Sequence, residues 1–193
     1  MWASTRSAEF IKRKDGGNVS YDLNKIIDGV VKEVLSANAD KGGAVSAGGV
    51  NSNGMTKMTL ICARKIIRAV QTKAKEMGVK AVCAVSDAGG NPIAAECMDD
   101  AFIASYDIAV NKAYTVVALK MPTKNLAALA APGGSLYGIQ FTNGGKIVIF
   151  GGGEPLVNKN GDIIGGFGVS GGTAEQDTIL GEYAKTVFES MTN

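Results

Sequence analysis

The chain has 193 residues, 46% of them hydrophobic and 20% charged, with a formal net charge of +2, 26 glycines, three cysteines and no histidine. That charge is too small to imply nucleic-acid binding, and aromatics at 6% argue against a base-stacking platform. The missing histidine excludes a Ser-His-Asp relay, an imidazole general base, His-ligated zinc and His-ligated haem.

Residues 1–20 are polar and charged, carry Gly16-Gly17, and are expected to be mobile. No apolar h-region accompanies Arg6, Lys12, Arg13 and Lys14, so no signal peptide is expected. No apolar run reaches membrane-spanning length, so no membrane association is expected and the cytoplasm is the default location. Over 21–37, Leu23, Ile26, Ile27, Val30, Val31, Val34 and Leu35 recur at helical spacing and form one apolar stripe. Residues 38–55 form a Gly/Ala/Ser/Asn linker that is flexible by composition. A short amphipathic helix on such a tether gains little stability without packing. It folds back on its own assembly or docks in a groove of another protein.

The main domain is expected over 56–193. Leu60, Ile61, Ile66, Ile67 and Val70 mark a helix over 59–77, ended by Gly78. Apolar strands over 79–86 and 93–98 flank the turn Asp87-Ala88-Gly89-Gly90-Asn91-Pro92. A helix follows over 103–120, and Pro122 breaks it and opens a short helix to Ala130. A loop from Pro132-Gly133-Gly134 leads to a strand over 146–150. Strands over 155–157 and 162–170 are joined by Asn158-Lys159-Asn160-Gly161, read as a type I′ hairpin. Thr173 and Gln176 form a capping box at the start of a last helix over 173–191. This order predicts an α+β fold with a mainly antiparallel sheet of about five strands.

Several residues invite chemistry. Gly168-Val169-Ser170-Gly171-Gly172 matches the G-x-S-x-G nucleophile elbow, which without histidine reduces to a glycine corner before a capped helix. The wider run 165–172 could gather backbone N–H groups into an anion nest; the simpler reading is close packing, with Glu175 and Asp177 already complementing the helix dipole. Gly151, Gly152, Gly153 and Pro155 either line a ligand pocket, since glycine admits a planar ligand to the backbone, or form a bend. Asp87 and Asn91 are read as turn residues that bond their own backbone. Lys112 either faces a pocket or is solvated. Asp99, Asp100 and Asp107 are too sparse for a hard-cation site, so no metal site is expected. Met98 and Met121 are read as core, and the cysteines as free thiols in a reducing compartment.

Three blocks taken together resemble the GlcG-like family, which includes the C-terminal domain of PduO cobalamin adenosyltransferases and haem-binding sensor proteins. They are Val85-Ser86-Asp87-Ala88-Gly89-Gly90-Asn91-Pro92, Ser105-x-Asp107-Ile108-Ala109-x-x-Lys112-Ala113-x-Thr115, and residues 151–177. The resemblance covers 56–193. It implies a profilin-like fold, homo-oligomers from dimers to rings, and binding of a tetrapyrrole, haem or a corrinoid such as cobalamin. The candidate cofactor residues are Gly89, Gly90, Asn91, Lys112, Gly151, Gly152, Gly153 and Pro155, with no catalytic residue assigned. Many members carry histidine straight after the Gly-Gly of the first block, where this chain has Asn91. A tetrapyrrole would then be held by Met, Tyr, Cys or Lys, or with no axial protein ligand. Some relatives belong to bacterial microcompartments, which makes residues 21–37 resemble an encapsulation tag for a shell protein. Two other readings stay open: an accessory enzyme of diol or 2-hydroxyacid metabolism, and a ligand-free structural cargo or scaffold.

Overall fold

The computed structural model describes residues 55–192, together with the backbone of β1 (Ile11–Lys12) and β2 (Asn18–Val19). The helix expected at 21–37 and all but the last residue of the linker expected at 38–55 lie outside the described residues. The chain divides into two units, Met1–Gly48 and Gly49–Asn193. In the first, β1 and β2 pair antiparallel, Ile11 opposite Val19.

In the second unit, α1 spans Leu60–Glu76. Thr59 caps it by accepting the Cys62 N–H at 3.2 Å, and Gly78 ends it at φ 69°. Then come β3 (Val82–Asp87), β4 (Pro92–Cys97), α2 (Ala104–Ala118), α3 (Thr123–Leu129), β5 (Gly153–Val157), β6 (Ile163–Ser170) and α4 (Ala174–Thr192). The strands form one antiparallel sheet in the order β4-β3-β6-β5.

Three layers result. Alternation along β3 sends Cys83 and Val85 to one face and Val82 and Ala84 to the other. On the first face they meet Ile66, Ile67 and Val70 of α1 and Leu180, Ala184 and Phe188 of α4, all fully buried. On the second face they meet Ala109 and Ala113 of α2.

The small residues on the α2 face set how close that helix comes. A Cβ at Gly166 would lie 2.2 Å from the Ala113 carbonyl oxygen, and one at Gly168 would lie 2.1 Å from that of Ala109. The backbone of α2 therefore rests directly on β6. The 165–172 run is a packing surface, as its simpler reading held.

Two expectations are corrected. Residues 146–150 form no strand, so the main sheet has four strands rather than about five. That segment bonds to a side chain instead of a neighbouring strand. Thr115 Oγ1 of α2 accepts the Val148 N–H at 3.0 Å and shares its one proton between the Asn111 carbonyl at 2.7 Å and the Lys146 carbonyl at 3.1 Å. The β5–β6 turn is not type I′, which needs positive φ at both central residues. Only Gly161 takes positive φ there, at 87°. Asn158 N donates to Asp162 O and Gly161 N to Asn158 O, while Asn158 Oδ1 accepts from Asn160 N and Asp162 N. This is a type I turn closed by a glycine bulge. The capping box holds: Thr173 N donates to Gln176 Oε1 at 2.9 Å, and Gln176 N to Thr173 Oγ1 at 3.2 Å.

Candidate functional site

The candidate residues separate into two groups, one buried beneath α2 and α4 and one at the β3–β4 turn. In the buried group, Lys112 is wholly inaccessible, which overturns its reading as a solvated side chain. Its Nζ donates to Asp177 Oδ2 at 2.8 Å and to the Val169 carbonyl at 2.7 Å, and lies 4.8 Å from the centre of the Phe150 ring. Burial pulls the ammonium below the ordinary lysine range, and Asp177 opposes that pull. An ammonium has three donors, and these three electron-rich neighbours accommodate them. Asp177 Oδ1 accepts the Gly172 N–H at 3.0 Å, so the acid does more than complement the α4 dipole.

The Gly151-Gly152-Gly153 run is buried around this pair. Gly152 sits at φ 110°, and a Cβ there would come within 2.8 Å of Lys112 Nζ and 2.9 Å of Asp177 Cβ. At Gly153 it would meet Thr123 Cγ2 at 2.6 Å, and Thr123 Oγ1 accepts the Gly153 N–H at 2.9 Å. The space beside these glycines is already filled by the chain itself. Pro155 lies on the edge strand β5, opposite Gly166.

At the β3–β4 turn, Asp87 Oδ1 accepts from Gly89 N at 2.8 Å and Asn91 N at 2.9 Å, the backbone bonding read from sequence. The Asn91 bond, with help from Gly89, holds the Asp87 carboxyl below its usual range. Asn91 Nδ2 also reaches both Asp87 oxygens, at 3.2 and 3.1 Å, so the amide faces its own turn. Gly90, at φ 78°, abuts Tyr114 of α2: a Cβ there would lie 2.8 Å from the ring. Tyr114 in turn accepts from Asn143 Nδ2 at 3.3 Å, and Lys146 Nζ lies 5.4 Å from its ring centre. The loop that carries Asn143 exposes Tyr137 and Phe141, the latter by 82%. In the same loop, Gln140 Oε1 is buried with no hydrogen-bond partner among the described residues.

The contacts of Tyr114 with Gly90, Asn143 and Lys146 were missed by sequence reasoning, as was the Lys112–Asp177 pair. The pair's members are 65 residues apart, and no local pattern links them. Ser170 is no nucleophile elbow: its Oγ donates to Ser105 Oγ at 3.1 Å, and the chain has no imidazole to activate it. The described residues contain no group of three His, Cys, Asp or Glu arranged to hold a metal ion. No helix among them is long and apolar enough to cross a membrane.

The model of a family described as haem degrading protein HbpS-like matches residues 58–185. An uncharacterised 15.0 kDa protein of Citrobacter freundii, from its dhaT-dhaS intergenic region, is 47% identical over 140 residues, 72% of this chain and 98% of that protein. The corrinoid adenosyltransferase PduO of the same organism is 37% identical over 129 residues, but the match spans 67% of this chain and only 38% of PduO. Among solved structures, a PduOC:haem complex superposes with a TM-score of 0.65 at 35% identity, covering 68% of this chain and 95% of that one.

Proposed function

The chain belongs to the HbpS-like family, together with the GlcG-like and PduO C-terminal domains, and from that premise we propose that it is an oligomeric tetrapyrrole-binding protein of a bacterial microcompartment. The observation that carries the reading is its likeness to PduOC, a protein solved with haem. The relationship to PduO spans little more than a third of that enzyme, so adenosyl transfer is not part of the proposal.

The β3–β4 turn and its surroundings suit the organic ring better than its metal. Gly89 and Gly90 keep the turn low, Tyr114 offers an aromatic ring beside Gly90, and Lys146, 5.4 Å from the centre of that ring, supplies a cation for a propionate. No imidazole stands at this end, and Asn91 is engaged with Asp87. The iron of a bound haem would supply redox or ligand-exchange chemistry, and the chain's own part is to hold and shield the macrocycle.

Titration with haemin and with metal-free protoporphyrin tests this. Both are expected to bind with affinities within about threefold of each other, to raise the melting temperature, and to weaken about tenfold in Tyr114→Ala. No binding, or haemin binding tens of times tighter than the free porphyrin, overturns the reading.

Residues 21–37, with their single apolar stripe, and the linker 38–55 are proposed as the segment that docks on a shell protein. Deleting residues 1–54 is expected to leave a folded homo-oligomer that no longer co-purifies with shells. Unfolding or dissociation of the truncated protein overturns that assignment.

A further inference from the structure

A cleft of about 260 Å³ opens beside the buried ion pair, at the end of α2 away from the β3–β4 turn. Its position follows from the register: Ser170 pairs with Val82 at one end of the sheet, while Gly165 pairs with Asp87 at the other. Ser105, in the cleft, and Tyr114, at the turn, are about 13 Å apart along α2 at 1.5 Å per residue. The two places are therefore distinct.

The walls are apolar. Phe102 is 72% exposed at the rim, with Ile108 and Phe150 beside it. Three polar residues line the same cleft: Ser105 and Ser170, 3% and 5% exposed, and Asp177, whose side chain is 3% exposed.

The hydrogen-bond count at these groups does not close. Each hydroxyl has one proton to donate. Ser170 gives its proton to Ser105, and the proton of Ser105 has no acceptor among the described residues. Asp177 takes one bond at each oxygen, from Gly172 N and Lys112 Nζ. A carboxylate has about four lone-pair sites, so acceptor capacity remains. A spare donor and a spare acceptor thus belong to residues that line the same small space.

The charge at this place is already balanced, since Lys112 neutralises Asp177 at 2.8 Å. An anion would meet the carboxylate with no unpaired cation to hold it. A cation would compete with a lysine that cannot leave without exposing a buried charge. The cleft is also slightly smaller than the usual range for drug-sized ligands, about 300–1,000 Å³.

From these observations we infer that this cleft binds a small uncharged molecule with a hydroxyl at one end and a short apolar chain at the other. The hydroxyl donates to Asp177 and accepts from the serine pair, and the chain lies against Ile108 and Phe150. This assignment does not depend on a tetrapyrrole at the other end of α2.

The test is a methyl NMR titration of the full chain with 1-butanol, watching Ile108 and Ala104, with exposed Ile61 as the remote reference. The expected result is a saturable shift at Ile108 and Ala104 and none at Ile61. Methyl propyl ether, an isomer without the O–H, is expected to bind at least fivefold more weakly, and butyrate and butylammonium weaker still. Ser105→Ala combined with Ser170→Ala is expected to weaken butanol binding five- to tenfold. The proposal is overturned if Ile108 does not saturate, or if the ether or butyrate binds as well as the alcohol. The ligand series on the unaltered chain discriminates these outcomes even if the double variant fails to fold.

Discussion

Lys112 Nζ and Asp177 Oδ2 stand 2.8 Å apart with their side chains 0% and 3% exposed, and the contact ties α2 to the first turn of α4. Removing one member leaves the other charge buried and unpaired, which typically costs about 3–5 kcal/mol. Lys112→Met and Asp177→Leu are each expected to lose about that much in urea denaturation. The double variant is expected to recover most of the loss, because two apolar side chains leave no stranded charge. A double variant as unstable as the sum of the singles would show that the pair is valued for more than charge balance.

The glycine contacts of β6 predict a steric limit. In Gly168→Ala the new methyl meets the Ala109 carbonyl oxygen, a backbone atom that cannot rotate away. Overpacking of this kind costs about 1–3 kcal/mol or more, so a melting temperature lowered by several degrees is expected. A variant with the parent's melting temperature would mean that α2 lifts off β6 freely.

Glu154 predicts a pH dependence. Its side chain is buried on β5, and burial raises its pKa, with Lys124 and Lys185 only partly offsetting this. A carboxyl whose folded pKa lies above its unfolded value of about 4.3 binds more protons in the native state across that interval. Stability from this group is therefore greatest below the interval and falls as pH rises through it. Glu154→Gln is expected to be more stable than the parent at pH 7 and to lack this decline. Unfolding free energies measured across pH 4 to 8 decide it, and parallel curves for the two proteins would refute it.

The cysteines differ in access. Cys97 is exposed at the end of β4, whereas Cys62 and Cys83 are buried and burial raises both of their pKa values. A thiol reagent at neutral pH is expected to label one cysteine per native chain quickly, and three in denaturant. Rapid labelling of two or three native thiols would contradict the packing of α1 on β3.

Much of the fold was legible because its signals are local. Gly78 ends α1 at positive φ, Thr173 and Gln176 cap α4 reciprocally, and Asp87 folds the β3–β4 turn through its own backbone. Each involves residues within four positions of one another, so composition and spacing expose it. The strand expected at 146–150 failed for the complementary reason. Its apolar run is real, but its hydrogen bonds go to Thr115, more than 30 residues away, and no local pattern distinguishes a strand from an extended segment tied to a helix.

The sequence by itself determined the α+β order, the caps, the turn at Asp87 and the loss of all imidazole chemistry, since these depend on residue identity and short spacing. Only the tertiary structure decided that Lys112 is buried, that its partner is Asp177, and that Ser105 and Ser170 share one hydrogen bond at a cleft. Both pairs bridge 65 residues. They meet because glycines in β6 let α2 settle onto the sheet, and that closeness sets which polar groups are paired and which remain open to a ligand.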